Sequence, residues 1–239
     1  MTTMFFKKNI FYVLAIIATT QLSCKSYSVK KAVPSANKFD FHNTPEVYAD
    51  SMPDSLKYLI PIFDTILCDD QKFREKLNSD LLLQNAKEQD KLDSINIIKV
   101  EAIINKYGIL GKKKFGIKGI TAVTSVLQHS KLKIKEKYLP MVKEAFINKY
   151  ITGDFYAMFS DRISTYKFQL QKYGTQLKVY KNVYTLYPVI NIDSINIWRK
   201  EMGQISIEDY FKIFKTTFNR EEYKKQLPEL IKFYGVKEN

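Results

Sequence analysis

The sequence predicts a mainly α-helical fold: a single helical domain with one small β-hairpin near residues 176–190, preceded by a signal peptide and a flexible tether. Three observations predict it. Beyond residue 54 apolar side chains recur at helical spacings through most of the chain. One stretch departs from that period: Gln176 to Tyr180 and Val183 to Ile190 are dense in Val, Tyr, Leu and Ile around Lys181-Asn182, as two paired strands would be. With 45% hydrophobic residues, 14% aromatic, 8 Gly and 7 Pro, the composition favours a packed interior over a loop-rich chain.

Taken in order, Asp54 to Leu67 carries apolar positions 56, 59, 60, 63, 66 and 67, with Ser51 as a cap and Pro53 in the first turn. A short second helix is expected from Asp70 to Leu77. Asp80 to Tyr107 continues the helical spacing as one long helix or as two broken near Asp93-Ser94, with Gly108 as its stop. The glycines at 108, 111, 116 and 119 frame a lysine-rich loop without the Gly-Lys-Ser/Thr of a phosphate cradle. Ile120 to Gln128 is a short apolar helix. Ile134 to Tyr150 is another, in which Pro140 calls for a kink or a restart. Asp154 caps a third helix, and Ser206/Asp209 and Asn219/Glu222 have the offset of capping boxes before the C-terminal helices. Asp-Ser-Ile-Asn at 93–96 and 193–196 reads as two helix starts.

The N-terminus reads as an export signal. Lys7 and Lys8 precede the apolar run Ile10 to Ala18, then Thr19-Thr20-Gln21-Leu22-Ser23-Cys24. The run is shorter than the roughly 20 residues that cross a bilayer as a helix. Leu22-Ser23-Cys24 resembles the lipobox of bacterial lipoproteins, with Gln21 where that pattern has Leu or Val. A lipoprotein-type signal peptide (1–23), a tether (24–50) and a helical domain (51–239) follow from this. Lipidation of Cys24 then places the chain in the bacterial cell envelope, anchored to a membrane on its periplasmic or surface side. A plain cleaved signal and an uncleaved anchor are the alternatives. An acylated Cys24 leaves Cys68 without a mate for a disulfide, in an apolar setting that suits a buried small side chain.

Net charge is +13 and uneven: residues 40–93 hold 12 acidic and 6 basic side chains, residues 94–239 hold 26 basic and 13 acidic. Lysine runs occur at 112–114 and at 131, 133, 135 and 137. Export removes nucleic acid from the partners this charge suggests, and leaves anionic lipid or acidic glycan set against a plain solvated lysine surface. Among the candidates for chemistry, His129 is the histidine inside the helical domain, since His42 falls in the tether. It is either a structural group at a helix end or an acid–base. No spacing suits a metal or a serine nucleophile, and no cofactor is implied. Asp161 and Arg162 are adjacent on a helix and must find different partners. Gln171-Lys172-Tyr173-Gly174-Thr175-Gln176 gathers polar groups at a helix-to-hairpin junction, as a binding loop or as a turn that satisfies its own backbone.

Gln128-His129-Ser130, Lys137-Tyr138-Leu139-Pro140, Asp161-Arg162, Gln171-x-Tyr173-Gly174-Thr175-Gln176 and Arg199-x-x-x-Gly203, with Asp70-Gln71-x-Phe73-Arg74 upstream, resemble in that order a bacterial domain family of unknown function over about residues 55–213. Where that family has Gly-Lys before the Gln-x-Tyr string, this chain has Phe168-Gln169. The resemblance implies a shared polar site and names no reaction. The expectation is an envelope lipoprotein whose Gln128, His129, Arg162, Gln171, Tyr173, Thr175 and Gln176 bind a polar or anionic envelope ligand or a partner protein. The alternative is an enzyme acting on an envelope polymer, with His129 as acid–base and Asp161 or Arg162 orienting it or stabilising charge.

Overall fold

The structure, a computed structural model, describes residues 52–74, 82–109, 112–181 and 183–237. The signal peptide, Cys24, the tether with His42, Ser51 and the stretch 75–77 lie outside the described residues. Among those described there are eight α-helices, one 3-10 helix and one two-stranded hairpin, the mainly α fold expected.

Two proline effects shape the start. Pro53 precedes a 3-10 helix, Asp54–Leu59, and Pro61 occupies the first turn of α1, Ile60–Gln71, where its missing N–H costs nothing. The single helix expected over 54–67 is therefore two, and α1 runs through Asp70, so no helix begins there. On α1 the residues Phe63, Ile66 and Asp70 share the buried stripe, which carries a carboxylate to its inner end. The long helix is unbroken: α2 spans Leu82–Tyr107, with Asp93-Ser94 inside it rather than starting it. Gly108 ends it at φ +74, its N–H bonded to Ile104 O at 2.7 Å.

The expected glycine-framed loop is mostly helix. α3 covers Lys112–His129, with one break where Gly116 takes φ 66° and ψ 179°. Gly119 is required by packing, because a Cβ there would lie 2.6 Å from Phe63 Cε2 and 2.7 Å from Phe115 Cβ. α4, Leu132–Ile147, passes through Pro140 without a restart. α5, Gly153–Tyr166, is capped by Thr152, whose hydroxyl accepts from Phe155 N; Asp154 instead sits in the first turn and accepts from Gln204 Nε2 at 2.6 Å.

The hairpin pairs β1, Leu177–Tyr180, with β2, Val183–Leu186, placing Leu177 opposite Leu186. The chain then closes with α6 (Ile195–Glu201), α7 (Ile207–Ile213) and α8 (Arg220–Tyr234). Ser206 and Asn219 cap α7 and α8 as expected, accepting from Asp209 N and Glu222 N. The apolar interior has two parts. α1 to α5 enclose one around Phe63, Ile66, Val100, Val123, Leu127 and Phe159; the hairpin and α6 to α8 enclose the other around Leu186, Ile195, Ile207 and Leu230. Cys68 is half-buried on α1 rather than fully enclosed.

Candidate functional site

Polar and charged side chains are buried where the inner ends of α1, α3 and α5 meet. Asp70, 1% exposed, holds His129 Nδ1 at 2.9 and 3.1 Å with its two oxygens. Arg74 reaches across from the turn after α1 and clasps Asp93 of α2 with Nη2 at 2.7 and 2.8 Å. Gln89, one turn before Asp93, donates to that carboxylate and to Asp69 O, and accepts from Phe73 N. The turn at 69–74 is thus tied to α2 by side chains.

The tautomer of His129 follows from its neighbours. Arg74 Nε lies 3.2 Å from Nδ1, but one nitrogen cannot accept from Arg74 while donating to Asp70. Burial alone would raise Asp70, yet the hydrogen bond from His129 and the charge of Arg74 hold it below its ordinary value, so it is an ionised acceptor. Nδ1 therefore carries the proton and Nε2 the lone pair. Burial pushes His129 down, and the charges of Arg74 and Arg162 add to that against the pull of Asp70. The imidazole is neutral at pH 7, an orientation that suits a base or a hydrogen-bond acceptor.

The C-terminus of α3 collects two further cations. Lys135, fully buried in the first turn of α4, donates to Leu127 O at 3.0 Å, Gln128 O at 2.8 Å and Ser130 O. These are carbonyls that a helix end leaves without partners, and positive charge is favoured there. Burial, with Arg162 and Arg74 close by, pushes Lys135 down to about 6; the three acceptors work the other way, since only an ammonium has three protons to give. Arg162 Nη1 also donates to Gln128 O, at 3.1 Å, and its Nε donates to Gln176 Oε1 at 3.3 Å. No carboxylate pairs with Arg162 among the described residues, although it is 7% exposed. Lys178 on β1 is lowered by burial and by Arg162. The carboxamide of Gln128 is buried with neither Nε2 nor Oε1 bonded.

Asp161 turns the opposite way from its neighbour Arg162. Its carboxylate accepts from Lys172 N, Tyr173 N, Thr175 N and Thr175 Oγ1 at 2.9 to 3.2 Å. Gln171, fully buried, donates to Gln176 O and Tyr187 O and accepts from Gln176 N. Arg199 donates to the carbonyls of Tyr173, Gly174 and Ile205. The 171–176 string is a turn held by internal bonds. Asp161, Gln171 and Thr175 are committed to it; Gln128, His129, Arg162 and Gln176 meet at the end of α3. Among the described residues no three His, Cys, Asp or Glu side chains form a metal-binding group.

A family model matches residues 70–221, from the carboxylate that holds His129 to the first turn of α8. The chain belongs to DUF6624, a family of unknown function. The match begins inside the span 55–213 expected from the motifs and extends past it to Glu221. No curated protein and no solved structure matches the chain. The DUF6624 region contains every member of the cluster, including four that were not candidate site residues: Asp70, Arg74, Asp93 and Lys135. Asp70 and Arg74 do carry a signal, an acid and a base four residues apart within one quoted motif. Lys135 carries none, because it stands in a run of alternating lysines.

Proposed function

We propose that the DUF6624 domain binds a small anionic ligand at the Arg74–His129–Arg162 cluster, and that the chain serves as a binding module of the bacterial envelope, anchored by lipid on Cys24. The supporting observation is an imbalance of buried charge. Arg74 is paired with Asp70 and Asp93, whereas Arg162, 7% exposed, has no carboxylate partner among the described residues, and Lys178 beside it adds a further cation. Buried charge without a partner is costly, and an anion supplies the partner. The unbonded carboxamide of Gln128 is a second group in want of one. The test is isothermal titration calorimetry of the full-length chain with inorganic phosphate. Saturable binding that weakens at least tenfold in both Arg74→Met and Arg162→Lys supports the reading. No saturable heat, or equal affinity in both variants, overturns it.

The anchor is tested separately by mass analysis of the mature N-terminus. The chain has two cysteines, and the sulfur of Cys24 cannot carry lipid and also bond to Cys68. Acyl mass on Cys24 supports the lipoprotein; an unmodified or disulfide-linked Cys24 refutes it. One observation favours a second reading, an enzyme acting on an envelope glycan. Asp70 fixes the Nδ1–H tautomer of His129, as a general base requires. Release of soluble fragments from the glycan by wild type and not by a folded His129→Ala chain supports catalysis.

A further inference from the structure

We infer that the anion is taken up together with a proton on His129 Nε2, so that the site favours fully ionised oxyanions, phosphate-like or sulfate-like, and binds them more tightly as pH falls. The inference rests on the anion-binding reading above and adds what sets its strength. Around the imidazole, Asp70 of α1 accepts from Nδ1, and Arg74 lies 3.2 Å from that nitrogen. Arg162 of α5 and Lys135 of α4 approach from the side of Gln128 O, Asp93 of α2 is held by Arg74, and Lys178 of β1 feels the charge of Arg162. By themselves these cations oppose a charge on the ring. An oxyanion between the guanidinium groups cancels that opposition, while Asp70 stays in place to stabilise an imidazolium. The lone pair on Nε2 then takes a proton from solvent and turns an acceptor into a donor. A carboxamide or hydroxyl ligand gains nothing from this change; an anion gains a third charged donor.

Sulfate is the probe, because it carries two charges and does not titrate near neutrality. Calorimetry of the full-length chain with sodium sulfate, in buffers of different ionisation enthalpy, should show net uptake approaching one proton per sulfate near pH 7. Affinity should rise up to tenfold per pH unit as pH falls from 8 to 6. In His129→Gln the sulfate should still bind, with the pH slope gone. Should that variant not fold, wild type supplies the readout, since the chain has two histidines and His42→Gln assigns their NMR signals. Saturating sulfate should raise the His129 titration midpoint by at least one pH unit. Sulfate binding with no proton uptake, or a slope that persists in His129→Gln, overturns the proton coupling and leaves anion binding standing. The absence of any sulfate or phosphate binding overturns both.

Discussion

Substituting Asp161 by Asn separates scaffold from site. The carboxylate is 1% exposed and every group bonded to it is a donor: three backbone N–H groups and the Thr175 hydroxyl. Asparagine keeps one oxygen and turns the other into a donor. Placed at the Oδ1 position, its amide nitrogen would oppose both Lys172 N and Tyr173 N. At the Oδ2 position it opposes Thr175 N and loses the weaker bond from Tyr173 N, which keeps Oδ1, while the Thr175 hydroxyl can rotate to accept, so the second arrangement is preferred. It orphans one buried N–H, worth about 1–3 kcal/mol, and removes charge assistance from the bonds that survive, about 1 kcal/mol each. Release of a buried charge offsets part of this. The net loss is about 2–4 kcal/mol, which for a domain of this size lowers Tm by about 5–15 °C. Urea unfolding of wild type, Asp161→Asn, Thr175→Val and the double variant gives the check. The double variant should lose less than the sum of the singles, because both remove the same contact. Phosphate affinity, measured where Asp161→Asn is folded, should stay within threefold of wild type. A loss below 1 kcal/mol, or an unfolding curve unchanged alongside abolished binding, would refute the scaffold assignment and return Asp161 to the site.

Two further outcomes are expected. Gln128→Leu replaces an unbonded buried carboxamide by an apolar group of similar size, so the ligand-free chain should gain up to about 2 kcal/mol while phosphate binding weakens; a destabilisation above 1 kcal/mol in urea would mean that the carboxamide is bonded in solution. Lys135→Met tests the buried amine. With its folded pKa near 6 against an ordinary 10.5, Lys135 contributes stability that is fully present above 10.5 and is lost as pH falls toward 6. Wild type should therefore gain on the variant by up to about 1.4 kcal/mol per pH unit between pH 6 and 9. A flat difference over that window would show the three carbonyls keeping the ammonium charged.

Local chemistry was the legible part of this chain. The caps at Ser206 and Asn219 and the Lys181 hairpin could be read because each depends on residues close in sequence. Thr152 capping in place of Asp154 is a shift of two positions between two residue types that both cap helices. Pro140 did not restart the helix, since α4 runs on through it, and Gly116 broke α3 while the lysines around it stayed helical. The adjacency of Asp161 and Arg162 forced different partners, as the structure bears out, but named neither. The site was only half visible. His129 and Arg162 stood out by type, whereas the acid that orients His129 lies far upstream on another helix, and no local pattern links them. Lys135 was hidden by its own run: of the lysines at 131, 133, 135 and 137 it alone falls on the stripe with Tyr138, Val142 and Ala145.

Gly119 bears on all of this without carrying a polar atom. The contact it allows with Phe63 fixes how closely α1 and α3 run together, and the same two helices deliver Asp70 and His129 roughly two to three turns further along. A single methyl group there must displace the Phe63 ring or spread the helices, and to the extent that the helices spread, the carboxylate–imidazole contact changes without either residue being touched and with every charge in the cluster in place.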